Sequence, residues 1–300
     1  MLTSPPSFVR VTSRTTNSPQ AGATERECAC LGAPWRPPPR IPPDRSPERS
    51  DSMDDPTTWL LLAVGGLVAG VINTLAGGGS LITVPMLVMV GLPATTANGT
   101  NRIGVLFQNG VAMWRFRKEG LDGLRGSAPV LVPVLTGSLL GAQFAASLPA
   151  DLFKQVFGVA MIALLFPMLR PTPKKNADAD ESPRSRWLNT LIFFGIGLYG
   201  GAIQAGVGLF LIAALARSGL DLVRANAIKV VIIGALTIVA VPVFVLHEQV
   251  SWGPASALVV GFALGGELGA RAAVLGGEKL IRPVLVLAVV AMSGRMLGLY

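Results

Sequence analysis

Three groups of residues could do chemistry because they interrupt otherwise apolar sequence. The first is Asn73-Thr74-Leu75-Ala76-Gly77-Gly78-Gly79-Ser80, followed by Thr83. Glycine costs about 1 kcal/mol against alanine inside a helix, so three in succession predict a break. A half-helix restarting at Ser80 would aim its free N–H groups and positive dipole end into the space the break leaves, which is anion-binding chemistry. Gln204-Ala205-Gly206-Val207-Gly208 offers a second, similar break. The candidate binding residues are therefore Asn73, Gly77, Gly78, Gly79, Ser80 and Thr83, with Gln204, Gly206 and Gly208. Glycines that simply allow helices to approach closely are the competing reading.

The second group is cationic. Asn98, Asn101 and Arg102 open one apolar stretch, Asn226 and Lys229 another, and Gln108-Asn109 extends the polar stripe. A cation within a membrane span costs roughly 3 kcal/mol at mid-depth and is by default functional; snorkelling to a headgroup is the alternative. Asn98, Asn101, Arg102, Asn226 and Lys229 join the binding candidates. The third group is Glu267 and Arg271, four apart and so on one helix face. They read either as a neutralised structural pair or as a coupling site in which Glu267 carries a proton. Arg295 reads as a snorkelling residue near the end of the last span, and His247, beside Glu248, as a solvated loop residue.

Gly78-Gly79-Ser80 also raises a serine hydrolase, which needs a base within hydrogen-bond reach. The single histidine, His247, falls in a predicted loop away from Ser80, so no enzyme is expected. No phosphate-binding Walker sequence appears, so ATP-driven transport by this chain alone is not expected either. No metal site and no cofactor are predicted.

The elements holding these residues must be membrane helices. The 300 residues are 51% apolar and 14% charged, with mean hydropathy +0.55; soluble domains carry about 25% charged residues. Residues 1–52 form a Pro- and Arg-rich extension expected to be disordered, with Met53 as a candidate true start. Both cysteines, Cys28 and Cys30, lie there. At about 20 residues per span, helices are expected near 57–76, 98–114, 126–148, 152–170, 187–207, 225–246, 252–275 and 281–298. Residues 80–91 and 208–217 are too short to cross and read as half-helices. The loops after spans two and four carry nine cations and those after the odd spans five, which predicts cytoplasmic termini. The net charge of +8 is spread over loops and tail, so no nucleic-acid partner is expected. The partners expected are the bilayer and a small anionic substrate, with a homo-oligomer left open.

Sliding the chain by 128 residues superposes Trp59 on Trp187, Gly78 on Gly206, Ala97-Asn98 on Ala225-Asn226, and Gly137-x-x-Leu140-Gly141 on Gly265-x-x-Leu268-Gly269. This divides the chain into a repeat at 57–170, a cytoplasmic linker at 171–186 and a second repeat at 187–298. Four spans per repeat predict parallel halves, with the substrate site at their interface. The expected fold is thus an all-α polytopic membrane protein of about eight spans, two parallel four-helix repeats with glycine-broken half-helices.

The motifs Gly70-x-x-Asn73-x-x-Ala76-Gly77-Gly78-Gly79-Ser80-Leu81-Ile82-Thr83-x-Pro85, Gly91-Leu92-Pro93, Ala97-Asn98-Gly99-Thr100-Asn101 and Gly219-Leu220-Asp221-x-x-x-Ala225-Asn226-Ala227-x-Lys229 resemble the sulfite exporter TauE/SafE family over about residues 57–298. The resemblance implies a plasma-membrane permease for sulfite, sulfoacetate and related organosulfur anions. An anion channel or a regulatory subunit of the same fold is the alternative. The second repeat departs from the glycine pattern at Ala205 and Val207, and has Ala213 where the first has Pro85. Its half-helix is therefore expected to be less sharply broken.

Overall fold

The computed structural model describes residues 56–169, 183–217 and 220–275. The expectations for residues 1–52, Met53, most of the 171–186 linker, span 281–298 and Arg295 lie outside them. The described helices are α1 (Pro56–Ala76), α2 (Ser80–Met89), α3 (Ala94–Lys118), α4 (Gly123–Ala146), α5 (Ala150–Leu169), α6 (Pro183–Ala202), α7 (Val207–Arg217), α8 (Leu222–Leu246) and α9 (Trp252–Val274). Local chemistry explains several of their ends. Asp122 accepts a bond from Leu124 N at the start of α4, and Asp221 accepts from Val223 N and Arg224 N at the start of α8; both satisfy orphan donors of a first turn. Gly91 adopts φ +106° between α2 and α3, where a side-chain-bearing residue would be strained.

Four of these helices are long and apolar enough to cross a membrane: Pro56–Ala76, Gly123–Ala146, Val223–Leu246 and Trp252–Val274. The 25-residue α3 is long enough but polar, and its Asn98, Asn101, Arg102, Gln108 and Asn109 are all buried. It is the central helix, its polar residues covered by its neighbours while Phe107 and Trp114 stay exposed. The chain is a polytopic helical membrane protein.

Glycine seams hold the helices together. A Cβ on Gly66 would meet Leu258 O at 3.1 Å, and one on Gly70 would meet Phe262 O at 2.9 Å and Gly265 Cα at 3.0 Å. Gly137, Gly141, Gly197 and Gly201 bring α4 and α6 together in the same manner. The recurring Gly-x-x-Leu-Gly of the repeat is thus a packing face, which lets backbones approach as small residues do in membranes. It lies on α4 and α9, the fourth helices of the two halves, and each packs into the other half: α9 against α1 and α3, α4 against α6 and α8. Two bundles result, α1–α2–α3–α9 and α4–α6–α7–α8, meeting along α3 and α8.

The pairings also fix direction. Gly66 lies by Leu258 and Gly269 by Thr74, so α1 and α9 run the same way. Gly104 lies by Phe262 and Gly266 by Gln108, so α3 runs with them. By contrast, Gly99 lies against Phe244 and Gln249, and Gly234 faces Asn109, so α3 and α8 are antiparallel. Helices related by a two-fold axis along the membrane normal would be parallel. The halves are therefore inverted about an axis in the membrane plane, correcting the expected parallel arrangement. The physical reason is at the break. Met86 of α2 packs back on Gly65 of α1, so α1 and α2 form a hairpin that returns the chain to the face where α1 began. Only α3, α4 and α5 then run between the faces in the first half, an odd number.

Tryptophans mark both faces. Gly253 packs against Trp59, and Trp252 is exposed beside them; Trp114 and Trp187 lie at the opposite face. Gly70 and Gly104 both reach Phe262 and are level. Trp59 is eleven residues to one side of that level and Trp114 ten to the other, about 32 Å apart at 1.5 Å per residue. That matches a hydrocarbon core of roughly 30 Å flanked by aromatic belts.

Candidate functional site

Each hairpin ends in a break that brings together two kinds of backbone group. The last carbonyls of the incoming helix and the first N–H groups of the outgoing one both lack intrahelical partners. In the first break α1 stops at Ala76, Gly77 adopts φ +81°, and α2 restarts at Ser80. In the second, α6 stops at Ala202 and α7 restarts at Val207. The expectation of a blunter second break is corrected here. Gln204 and Gly206 both take positive φ, +63° and +72°, and the Gln204 side chain is held by a 2.7 Å bond from Nε2 to Thr237 Oγ1. The two tips touch: no Cβ fits on Gly77 because the backbone of Gly208 is there, and the reverse holds for Gly208.

The polar candidates divide by what they hold. Asn101 donates from Nδ2 to Ser80 Oγ at 2.9 Å and accepts from Thr83 Oγ1 at 2.5 Å, clasping α2 to α3. Asn73 donates to Gln108 Oε1 at 2.5 Å, and Gln108 Nε2 donates to Thr74 Oγ1 at 2.7 Å, clamping the last turn of α1. Gly79 packs against Ala69 and Asn73, with no space for a side chain. Gly78 sits between these two fixed points, and its carbonyl accepts from Leu81 N at 3.0 Å.

The two cations are fully buried and reach across the seam between bundles. Arg102 on α3 donates from Nη1 to Gly200 O at 3.1 Å and from Nη2 to Gly201 O at 2.5 Å. Asn98 Nδ2 adds a 3.0 Å bond to Ala202 O, and the guanidinium lies 4.6 Å over the Phe244 ring. Lys229 on α8 donates from Nζ to Asn73 O at 3.2 Å and Thr74 O at 2.7 Å. Each cation thus meets the negative end of the broken helix belonging to the other bundle, where positive charge is stabilised. Arg102 Nε, Asn98 Oδ1, Gln204 Oε1 and Asn226 Oδ1 are buried without a hydrogen-bond partner among the described residues. Asn109 Oδ1 deeper along α3 is left the same way, as are Arg115 Nε, Gln249 Oε1 and Glu267 Oε2, and buried polar atoms of this kind call for an explanation.

Glu267 and Arg271 bond to each other, with Arg271 Nη2 2.8 Å from Glu267 Oε1. Arg115 lies 3.8 Å from the same oxygen and pairs with Glu119. These side chains bond to one another rather than to the polar cluster. His247 bonds back to Val243 O of its own helix at 2.8 Å, while Ser80 is engaged by Asn101. Among the described residues no three of His, Cys, Asp and Glu are grouped as metal ligands. Two positioning residues escaped the sequence reading, Thr237 and Tyr199, whose hydroxyl donates to Ala205 O at 2.6 Å. Thr237 falls 128 residues after Asn109, so the repeat offset carried a signal for it.

This frame of paired hairpins is matched among known proteins by sequence. The sulfite exporter TauE/SafE family model matches residues 62–296. A probable membrane transporter protein of Sinorhizobium sp, ORF9, is 30% identical over 79% of this chain and 91% of its own length. One from Haemophilus influenzae is 30% identical over 77% and 91%, and YfcA of Escherichia coli K12, also a probable membrane transporter protein, is 28% identical over 77% and 86%. No solved structure matches the chain. With a family match across most of its length and hairpins of the kind transporters use, the chain is a membrane transporter, not an enzyme, and belongs to the sulfite exporter TauE/SafE family.

Proposed function

We propose that this chain is a secondary carrier of small oxyanions, sulfite, sulfoacetate or related organosulfur anions, across the plasma membrane. The observation that carries the reading is the contact of Gly77 with Gly208. It places the N-terminal ends of two half-helices side by side inside the bundle, where their dipoles favour an anion. Arg102 of α3, whose guanidinium reaches the end of α6 at the second break, keeps Nε as a buried donor not yet committed. The sulfur class rests on the family description. The flux experiment compares sulfite and sulfoacetate with chloride and sulfate in proteoliposomes. Saturable sulfur-anion flux stimulated by substrate on the opposite side supports the carrier. Flux that never saturates makes the protein a channel, and flux for none of the four overturns the substrate class.

The inverted topology also carries an orientation. Arg115, Arg117, Lys118, Arg125, Arg184, Arg186, Arg217, Arg224 and Arg271 belong to helix ends or loops at one face, and Lys154 alone to the other among the described residues. Cations mark the cytoplasmic side. The face where α1 begins is therefore the outer one, the reverse of the cytoplasmic start expected from counting α1 as a full crossing.

A further inference from the structure

Carriers built on broken helices use both ends of the break: N–H groups face anionic substrates, while carbonyls at the half-helix C-termini coordinate a coupling Na+ or proton. Here the second kind of place is filled from within. The carbonyls of Asn73 and Thr74 end α1 and receive Lys229 Nζ at 3.2 and 2.7 Å. Those of Gly200 and Gly201 end α6 and receive Arg102 at 3.1 and 2.5 Å. Both side chains arrive from the opposite bundle, and both are fully buried. The two residues are not equivalent under the repeat, since Lys229 corresponds to Asn101 and Arg102 to Val230. Different positions in the two halves thus deliver a cation to the same kind of helix end.

We propose that the C-terminal ends of α1 and α6 are alkali-cation sites which this chain occupies with its own Lys229 and Arg102. The carrier then needs no metal cation as co-substrate, and removing a tethered cation uncovers a Na+ site of backbone carbonyls. This rests on the carrier reading above for its transport arm only. A charge-assisted bond to carbonyl groups is worth enough that its loss should lower flux about tenfold.

The experiment uses full-length protein, wild type and Lys229→Ala, in Na+ and in choline, reading sulfite flux in proteoliposomes and the thermal midpoint in detergent. Wild type should be the same in both salts. Lys229→Ala should lose flux in choline and regain most of it in Na+, and its thermal midpoint should rise with Na+ concentration, as binding to the folded state requires. Wild-type flux or stability that depends on Na+ overturns the proposal, as does a Lys229→Ala protein whose midpoint is indifferent to Na+. If that variant is not recovered folded, Arg102→Ala opens Gly200 and Gly201 to the same midpoint test. Absence of sulfite flux in wild type counts against the substrate reading alone, because the midpoint needs no substrate.

Discussion

Gly77 and Gly208 meet backbone to backbone at the tips of two hairpins 131 residues apart in sequence, and neither position has space for a methyl group. Gly77 also has φ +81°. Gly77→Ala should therefore cost the left-handed backbone penalty of about 1–2 kcal/mol and push the tips apart, abolishing flux. Gly91→Ala is the comparison, since Gly91 has φ +106° but open space around it. It should lose only the backbone term and keep flux. Equal flux in the two variants would show that the tip contact is not needed.

Asn101 spends its whole amide holding Ser80 and Thr83. Asn101→Ala leaves two buried hydroxyls with one partner fewer, at about 1–3 kcal/mol for each group left unsatisfied. The thermal midpoint should fall clearly, with α2 becoming the first segment to exchange amide hydrogens. A midpoint unchanged from wild type would mean that α2 is held by apolar packing alone.

Glu267 answers two arginines, Arg271 at 2.8 Å and Arg115 at 3.8 Å. Glu267→Gln should lower stability more than Arg271→Ala, because Glu267 is the more buried partner and loses its charge beside both arginines, while Arg115 keeps only Glu119 and the other variant removes the more exposed partner. Sulfite flux driven by a pH gradient should survive in Glu267→Gln. Its selective loss, with flux under a membrane potential intact, would return Glu267 to a proton-coupling role.

The orientation is open to cysteine labelling in intact cells, with Cys28 and Cys30 first replaced by serine. A membrane-impermeant maleimide should label Glu248→Cys from outside and leave Asp122→Cys untouched until the cells are broken. The opposite pattern restores the cytoplasmic start.

Among the described residues, the sequence showed the helices, both breaks and the 128-residue offset, because glycine runs and buried amides are conspicuous against apolar residues. It did not show the sense of the repeat. Whether α2 continues onward or folds back depends on Met86 meeting Gly65, a packing fact with no signature in composition. The cations were likewise legible as buried residues but not as helix caps. Lys229 finds Thr74 across 155 positions, and nothing local to either announces the other.

The exchange of α4 and α9 between the halves has a consequence for how the protein is made. The glycine face of α1 is completed by α9, and Gly66 waits for Leu258, 192 residues later. At about 5–20 residues per second of synthesis, that delay is about 10–40 s. Throughout it, the first hairpin stands in the membrane without the helix it was built to grip. Neither half expressed alone can supply its own closing helix, so separately translated halves should accumulate only when produced together. A stop codon late in the gene then condemns the beginning of the chain as surely as the end.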